Sequence, residues 1–124
     1  MKRVFIAFAI EDEWARDYLI GQAKNARVPF EFVDMSVKEP WDNAWKTRCR
    51  ERIKTCDGVI ALLSTSTRLA DGAKWEMSCA VEEEIPIIGV HTKSDDKGQI
   101  PPELEGKRVI NWTWEGVKNF LDRI

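Results

Sequence analysis

Residues Trp75-Glu76 carry the strongest chemical signal in the chain. They open the segment Ala73-Lys74-Trp75-Glu76-Met77-Ser78-Cys79-Ala80, behind an apolar run, Gly58-Val59-Ile60-Ala61-Leu62-Leu63, and a hydroxyl-rich loop, Ser64-Thr65-Ser66-Thr67. In an α/β sheet the carboxyl ends of the strands face the ligand crevice. A carboxylate there can stabilise the positive charge that develops on a sugar carbon as its glycosidic bond breaks, or hold the sugar hydroxyls in reactive geometry. The loop hydroxyls can add orienting hydrogen bonds. At about 100° per residue, Ala73, Met77, Ala80 and Val81 form the buried face of a helix, with Glu76 at its edge, shielded in part and within reach of a crevice. An early-turn glutamate also complements the helix dipole, so the residue alone leaves both roles open.

Other side chains fall at the same predicted end of the sheet. Phe8 and Ala9 close the first strand on the crevice side, where the ring could pack on a ribose or base or fill the core. Asp34 and Ser36 follow the second strand and could bind ribose hydroxyls or form a turn. Trp41 and Trp45 flank the next loop: Trp45 starts an apolar stripe, and Trp41, beside Pro40, is expected to be exposed. Trp75 points away from Glu76 and is expected to pack or to meet a partner. The run Glu82-Glu83-Glu84 cannot converge on one metal ion, because successive helix residues diverge by about 100°. His91, the one histidine, ends an apolar strand and offers no basis for a histidine metal site or a Ser-His-Asp triad.

The elements that must position these groups are legible in the hydrophobic pattern. Val4–Ala9 is a continuous apolar run, as in a strand covered on both faces. Glu11 to Ala26 has helical periodicity, with Ala15, Leu19, Ala23 and Ala26 on one side and Trp14 and Tyr18 beside them. Pro29 follows, and Phe30–Asp34 alternates as an edge strand does. A loop over Met35–Asn43 leads to a helix capped by Asp42 or Asn43 and running to about Cys56, with Trp45, Cys49, Ile53 and Cys56 inward. Further strands are expected at Val59–Ser64, Ile87–His91 and Arg108–Asn111, with the Glu76 helix between the first two. Thr113 caps a last helix whose face is Val117, Phe120, Leu121 and Ile124. Alternating βα units of this length imply a parallel sheet wrapped by helices.

The 124 residues make one domain, 1–124, with room for a full core. A net charge of −2 without a Lys/Arg block gives no electrostatic reason to expect nucleic acid or an anionic membrane. The apolar runs are far shorter than the roughly 20 residues that span a bilayer. The N-terminus shows no signal-peptide design, and the odd set Cys49, Cys56 and Cys79 reads as buried thiols in a reducing cytosol. A cytoplasmic location is expected.

The sequence resembles a TIR domain, in particular the small bacterial TIR-like family related to the Thoeris defence protein. The resemblance is carried by Val4-Phe5-Ile6-Ala7-Phe8 with Glu11-Asp12-Glu13; by Gly21-Gln22-Ala23-Lys24-Asn25; by Asp34-Met35-Ser36-Val37-Lys38-Glu39-Pro40; by Arg50-Glu51-Arg52-Ile53; and by the Trp75-Glu76 helix with Glu82-Glu83-Glu84-Ile85-Pro86. It implies a flavodoxin-like three-layer α/β fold with a five-stranded parallel sheet in the order 2-1-3-4-5 and helices on both faces. It implies an NAD+-cleaving enzyme, a hydrolase or an ADP-ribose cyclase, with Glu76 at the position of the catalytic glutamate. Phe8, Ala9, Asp34, Ser36, Trp41 and Trp45 would then line the substrate site. NAD+ would be the substrate, with no cofactor or metal. The family setting is antiphage defence, in which the product signals to a separate effector, and self-association is expected. The family commonly has Ser where this chain has Ala7, which removes one hydroxyl near the site. Two other classes are consistent with the same residues: a non-catalytic interaction module acting through the Met35–Asn43 loop, and a nucleoside deoxyribosyltransferase-like enzyme. A phosphate-receiving regulator fits less well, since strand three ends in Ser64 and not in a phosphoacceptor Asp.

Overall fold

Residues 1–124 are all described in the computed structural model. Five strands, β1 (Lys2–Ala7), β2 (Phe30–Val33), β3 (Gly58–Leu63), β4 (Ile87–His91) and β5 (Arg108–Asn111), pair in parallel in the order β2-β1-β3-β4-β5. Four helices connect or follow them: α1 (Glu13–Asn25), α2 (Asn43–Lys54), α3 (Asp71–Glu82) and α4 (Trp114–Arg123). This is the flavodoxin-like order expected from the sequence. The chain reverses its winding direction between β1 and β3, which opens a crevice at their carboxyl ends.

Two apolar layers result from the alternation of side chains along each strand. Phe5, Ala7, Val59, Ala61 and Leu63 face α2 and α3, where they meet Trp45, Cys49, Ile53, Met77 and Ala80. Val4, Ile6, Ile60, Leu62 and Val90 face α1 and α4, against Ala15, Leu19, Val117 and Leu121. Every residue of β3 is buried, as a central strand requires, whereas edge strand β2 has none that is fully buried. The three cysteines are free and buried, and burial raises each thiol pKa.

The helix ends differ in part from the sequence expectation. Asp42 caps α2 by accepting from the Ala44 and Trp45 amides, and Thr113 caps α4 by accepting from Gly116. α1 is shorter than expected: a 3-10 turn, Ile10–Asp12, precedes it, and Ala26 is exposed beyond its end. Its stop comes from a left-handed residue, Arg27 at φ 55°, before Pro29 is reached. The Val28 amide there closes onto the Ala23 carbonyl at 3.0 Å. α3 ends the same way, with Glu84 at φ 57° and the Ile85 amide on the Ala80 carbonyl at 3.0 Å. Glycine normally fills this position because it has no Cβ to clash.

Two stability effects of opposite sign are expected in urea unfolding. Asp42→Ala removes a cap and lowers stability by about 1 kcal/mol. Glu84→Gly relieves left-handed strain and raises it by about 1 kcal/mol. Equal midpoints for both variants and wild type would contradict these assignments.

Candidate functional site

Glu76 sits in the second turn of α3, at the reversal point between β1 and β3, and is completely buried at 0% exposure. This is deeper than the half-shielded position expected from the helical wheel. The difference comes from the loop after β2, which lays Lys38 across the carboxylate. Lys38 Nζ donates to both oxygens, at 2.8 Å to Oε2 and 3.1 Å to Oε1. The same ammonium stands 3.9 Å from the centre of the Phe8 ring, a cation–π contact.

The close approach of Lys38 depends on Gly72, in the first turn of α3. A Cβ at Gly72 would lie 2.9 Å from Lys38 Cβ. The loop is held from below by Trp45, whose indole Nε1 donates to the Val37 carbonyl at 2.6 Å and whose ring meets the edge of Trp75 at 5.6 Å. Trp75 also carries the Arg50 guanidinium over its face at 5.4 Å. Arg50 in turn binds Glu82 and Glu83, each at 2.9 Å, so those acids join α2 to α3.

Burial dominates the electrostatics of Glu76. Desolvation raises its pKa from 4.5 to about 8, against the Lys38 charge and hydrogen bond and the Phe8 backbone, which all favour the ionised form. Asp34 adds a smaller upward push.

A crevice of about 240 Å³ opens above the pair, with Lys38 in its wall. Ala9, Ile10, Pro40, Trp41 and Leu69 complete its apolar sides. Of the residues singled out in the sequence, Ala9, nearly buried, and Trp41, 76% exposed, therefore border this opening. Phe8 is buried beneath Lys38, between that ammonium and the Arg16 guanidinium, 5.2 Å from its ring. Asp34 is engaged by Arg16 at 2.8 Å, and Ser36 is exposed on the loop outside the crevice wall. Trp45 is core, 1% exposed, and reaches the site only through the loop it supports. The Ser64 hydroxyl is turned inward, donating to Asp12 at 2.6 Å and accepting from the Ser66 amide.

Lys38 is the residue that sequence reasoning missed. It lies 38 positions from Glu76, and its only signal is that it is the one cation in the loop Met35–Asn43.

An all-parallel sheet in the order 2-1-3-4-5 defines a flavodoxin-like α/β domain, the fold expected of a TIR-like protein. The chain belongs to the family described as Thoeris protein ThsB, TIR-like domain, which it matches over residues 5–97. Among solved structures it is similar to a prokaryotic SEFIR domain, at 13% identity and a TM-score of 0.57, over 99% of this chain and 95% of that one. That likeness concerns the fold. No curated protein matches the sequence. No helix is long and apolar enough to cross a membrane.

The buried acid makes stability depend on pH with a definite sign. The folded state holds the Glu76 proton up to about pH 8, whereas the unfolded chain releases it near 4.5. Between those values the folded protein binds more protons, so stability falls as pH rises, by up to about 1.4 kcal/mol per pH unit. Glu76→Gln should remove this slope, and Lys38→Met should extend it to higher pH, because loss of the opposing charge makes the folded state hold the proton more tightly. Parallel stability profiles for the three proteins from pH 5 to 8 would exclude the assignment.

Proposed function

We propose that this domain cleaves the nicotinamide–ribose bond of NAD+, as a hydrolase or an ADP-ribose cyclase, with Glu76 as the catalytic carboxylate. The observation that supports the reading most directly is a fully buried glutamate at the β1/β3 reversal, joined by one cation to an open crevice. Membership of the Thoeris TIR-like family agrees with it.

The chemistry suits a lone acid. When the C1′–N1 bond breaks, its electron pair leaves with the pyridinium nitrogen, and nicotinamide departs neutral. No general acid is required at the leaving group. Positive charge grows on C1′ and the ring oxygen, and a desolvated carboxylate stabilises it strongly because little water screens the interaction. In hydrolysis, water adds to C1′ and releases a proton; in cyclisation, a nucleophile of the same ADP-ribose unit takes its place.

Glu76 must be uncovered and ionised for this to occur, since burial holds its proton up to about pH 8 in the closed site. The diphosphate of a dinucleotide offers Lys38 an alternative anion, and turning Lys38 towards it frees the carboxylate for the ribose. Phe8 lies directly beneath that exchange and Ala9 and Trp41 border the entrance, whereas Asp34 and Ser36 would contact the substrate only if the loop moved. In the defence setting of the family, a cytoplasmic enzyme of this kind would make a nucleotide signal for a separate effector, and self-association would complete or regulate its site.

A second reading rests on the rim of the crevice. Ile10, Trp41 and Leu69 there are exposed at 49%, 76% and 78%, and Val37, on the same loop as Trp41, at 60%. Apolar groups clustered in this way are characteristic of interaction surfaces, and a non-catalytic module would use them to bind a protein partner.

Turnover of NAD+ by the purified protein at high concentration, with products resolved by mass spectrometry, distinguishes these readings. Nicotinamide release is expected from wild type and is expected to fall at least about 100-fold in Glu76→Gln, the scale of losing a main electrostatic stabiliser. The product mass separates linear from cyclic ADP-ribose. Base exchange on deoxynucleosides with NAD+ untouched would point to the transferase class. Silence both in buffer and in phage-infected extract, together with assembly that Trp41→Ala abolishes and Glu76→Ala leaves intact, would replace the enzyme by the interaction module.

A further inference from the structure

A second concavity lies at the same end of the sheet but on its other face, between α1 and α4. It encloses about 460 Å³, within the range of small-ligand sites. Its walls are aromatic. Trp14 and Tyr18 come from α1, and Trp112 and Trp114 flank the cap of α4.

These rings are braced. Tyr18 meets Trp112 edge to face at 5.7 Å, and the Trp112 indole donates to Gln22 Oε1 at 3.1 Å. Trp14 and Tyr18 nevertheless remain 45% and 61% exposed.

Two polar features point to what such a ligand would carry. Thr92, the residue after β4, lines the cavity at 8% exposure; its hydroxyl has no hydrogen-bond partner in the chain and is shut off from solvent, so a ligand reaches it only when the side chain turns outward. A buried polar group is rarely left unpaired, because doing so forfeits its hydration without compensation. The next residue, Lys93, places its ammonium 5.0 Å from the Trp14 ring, and no carboxylate lines the cavity.

Aromatic walls alone would accept either a flat ring or an organic cation. Lys93 decides between them. It already provides a cation at the Trp14 face and would repel a second one, while attracting an anion. We propose that this cavity is a second ligand site, separate from the Glu76 crevice, for a planar heterocycle bearing a phosphate, the chemistry of a nucleoside monophosphate. The ring stacks on the tryptophans, Gln22 and a Thr92 side chain turned outward meet its polar edge, and Lys93 takes the phosphate. The 3-10 turn leading into α1 places Ile10 and Glu11 beside the Glu76 crevice. A ligand that fixes Trp14 and Tyr18 therefore also fixes one wall of the first site.

The test is titration of the full chain with adenosine 5′-monophosphate, followed by tryptophan fluorescence and by amide chemical shifts. Saturable quenching is expected, with shifts at Thr92 and Lys93. Adenosine should bind about fivefold more weakly, the scale of one charge-assisted contact near the surface, and Lys93→Ala should erase that difference. Ribose 5-phosphate should give no quenching. Trp14→Ala, at an exposed position, should weaken binding about tenfold through lost stacking, with an unchanged circular dichroism spectrum. Lys38→Ala and Trp41→Ala, on the other face, should leave it within about twofold. The proposal is overturned by absence of saturable quenching at millimolar ligand, or by binding that Lys38→Ala removes and Trp14→Ala does not. It is equally overturned by a concentration-dependent dimer that Trp14→Ala dissolves and the nucleotide leaves unaffected. None of these outcomes depends on NAD+ turnover.

Discussion

A carboxylate with no access to water is the constraint around which one half of this molecule is arranged. Burying an isolated charge is prohibitively costly, so the group must be paired, protonated or both. Here both solutions operate. Lys38 reaches each oxygen of Glu76, and desolvation still raises the pKa of the acid to about 8. The remaining features follow from keeping Lys38 in place: Gly72 leaves room for its stem, Phe8 offers its ring face, and Trp45 fixes the loop backbone at Val37. A structural role alone would be met more economically by an apolar side chain, since replacing buried ion pairs by well-packed hydrophobes is often neutral or stabilising.

The same end of the sheet holds a second polar join. Asp12 and Ser64 link the turn before α1 to the end of β3 at 2.6 Å. Burial raises the pKa of Asp12 as well, opposed by the Ser64 hydrogen bond. This contact ties down the turn Ile10–Asp12, which borders the Glu76 crevice and leads into the helix that carries Trp14 and Tyr18. The domain thus carries a crevice lined by Lys38 with Glu11 and Asp71 on the α2/α3 face, and an aromatic one with Lys93 and no carboxylate on the α1/α4 face. The two differ in the charge they present, and so in the ligands they suit.

Local rules of sequence were sufficient for most of the scaffold. Continuous apolar runs marked the strands buried on two faces, and the alternation in Phe30–Asp34 marked the edge strand β2. Asp42 and Thr113 declared the starts of α2 and α4 by their chemistry. The same rules failed at the ends of α1 and α3, where Arg27 and Glu84 take a left-handed conformation that glycine would have signalled. They also read Trp14 and Tyr18 only as neighbours of the α1 core stripe, because their real surroundings, Trp112, Trp114 and Lys93, lie about 80 to 100 positions away.

The position of Glu76 beyond β3, its place on a helix and the class of fold were determined by the sequence alone, since each depends on neighbours a few residues apart and on the strict periods of helix and strand. The depth of that acid, its partner and its protonation were decided only by tertiary structure. Those properties depend on Lys38 being carried across the sheet by a loop from another βα unit. Solvent exclusion is a property of the assembled surface, and no local pattern encodes it.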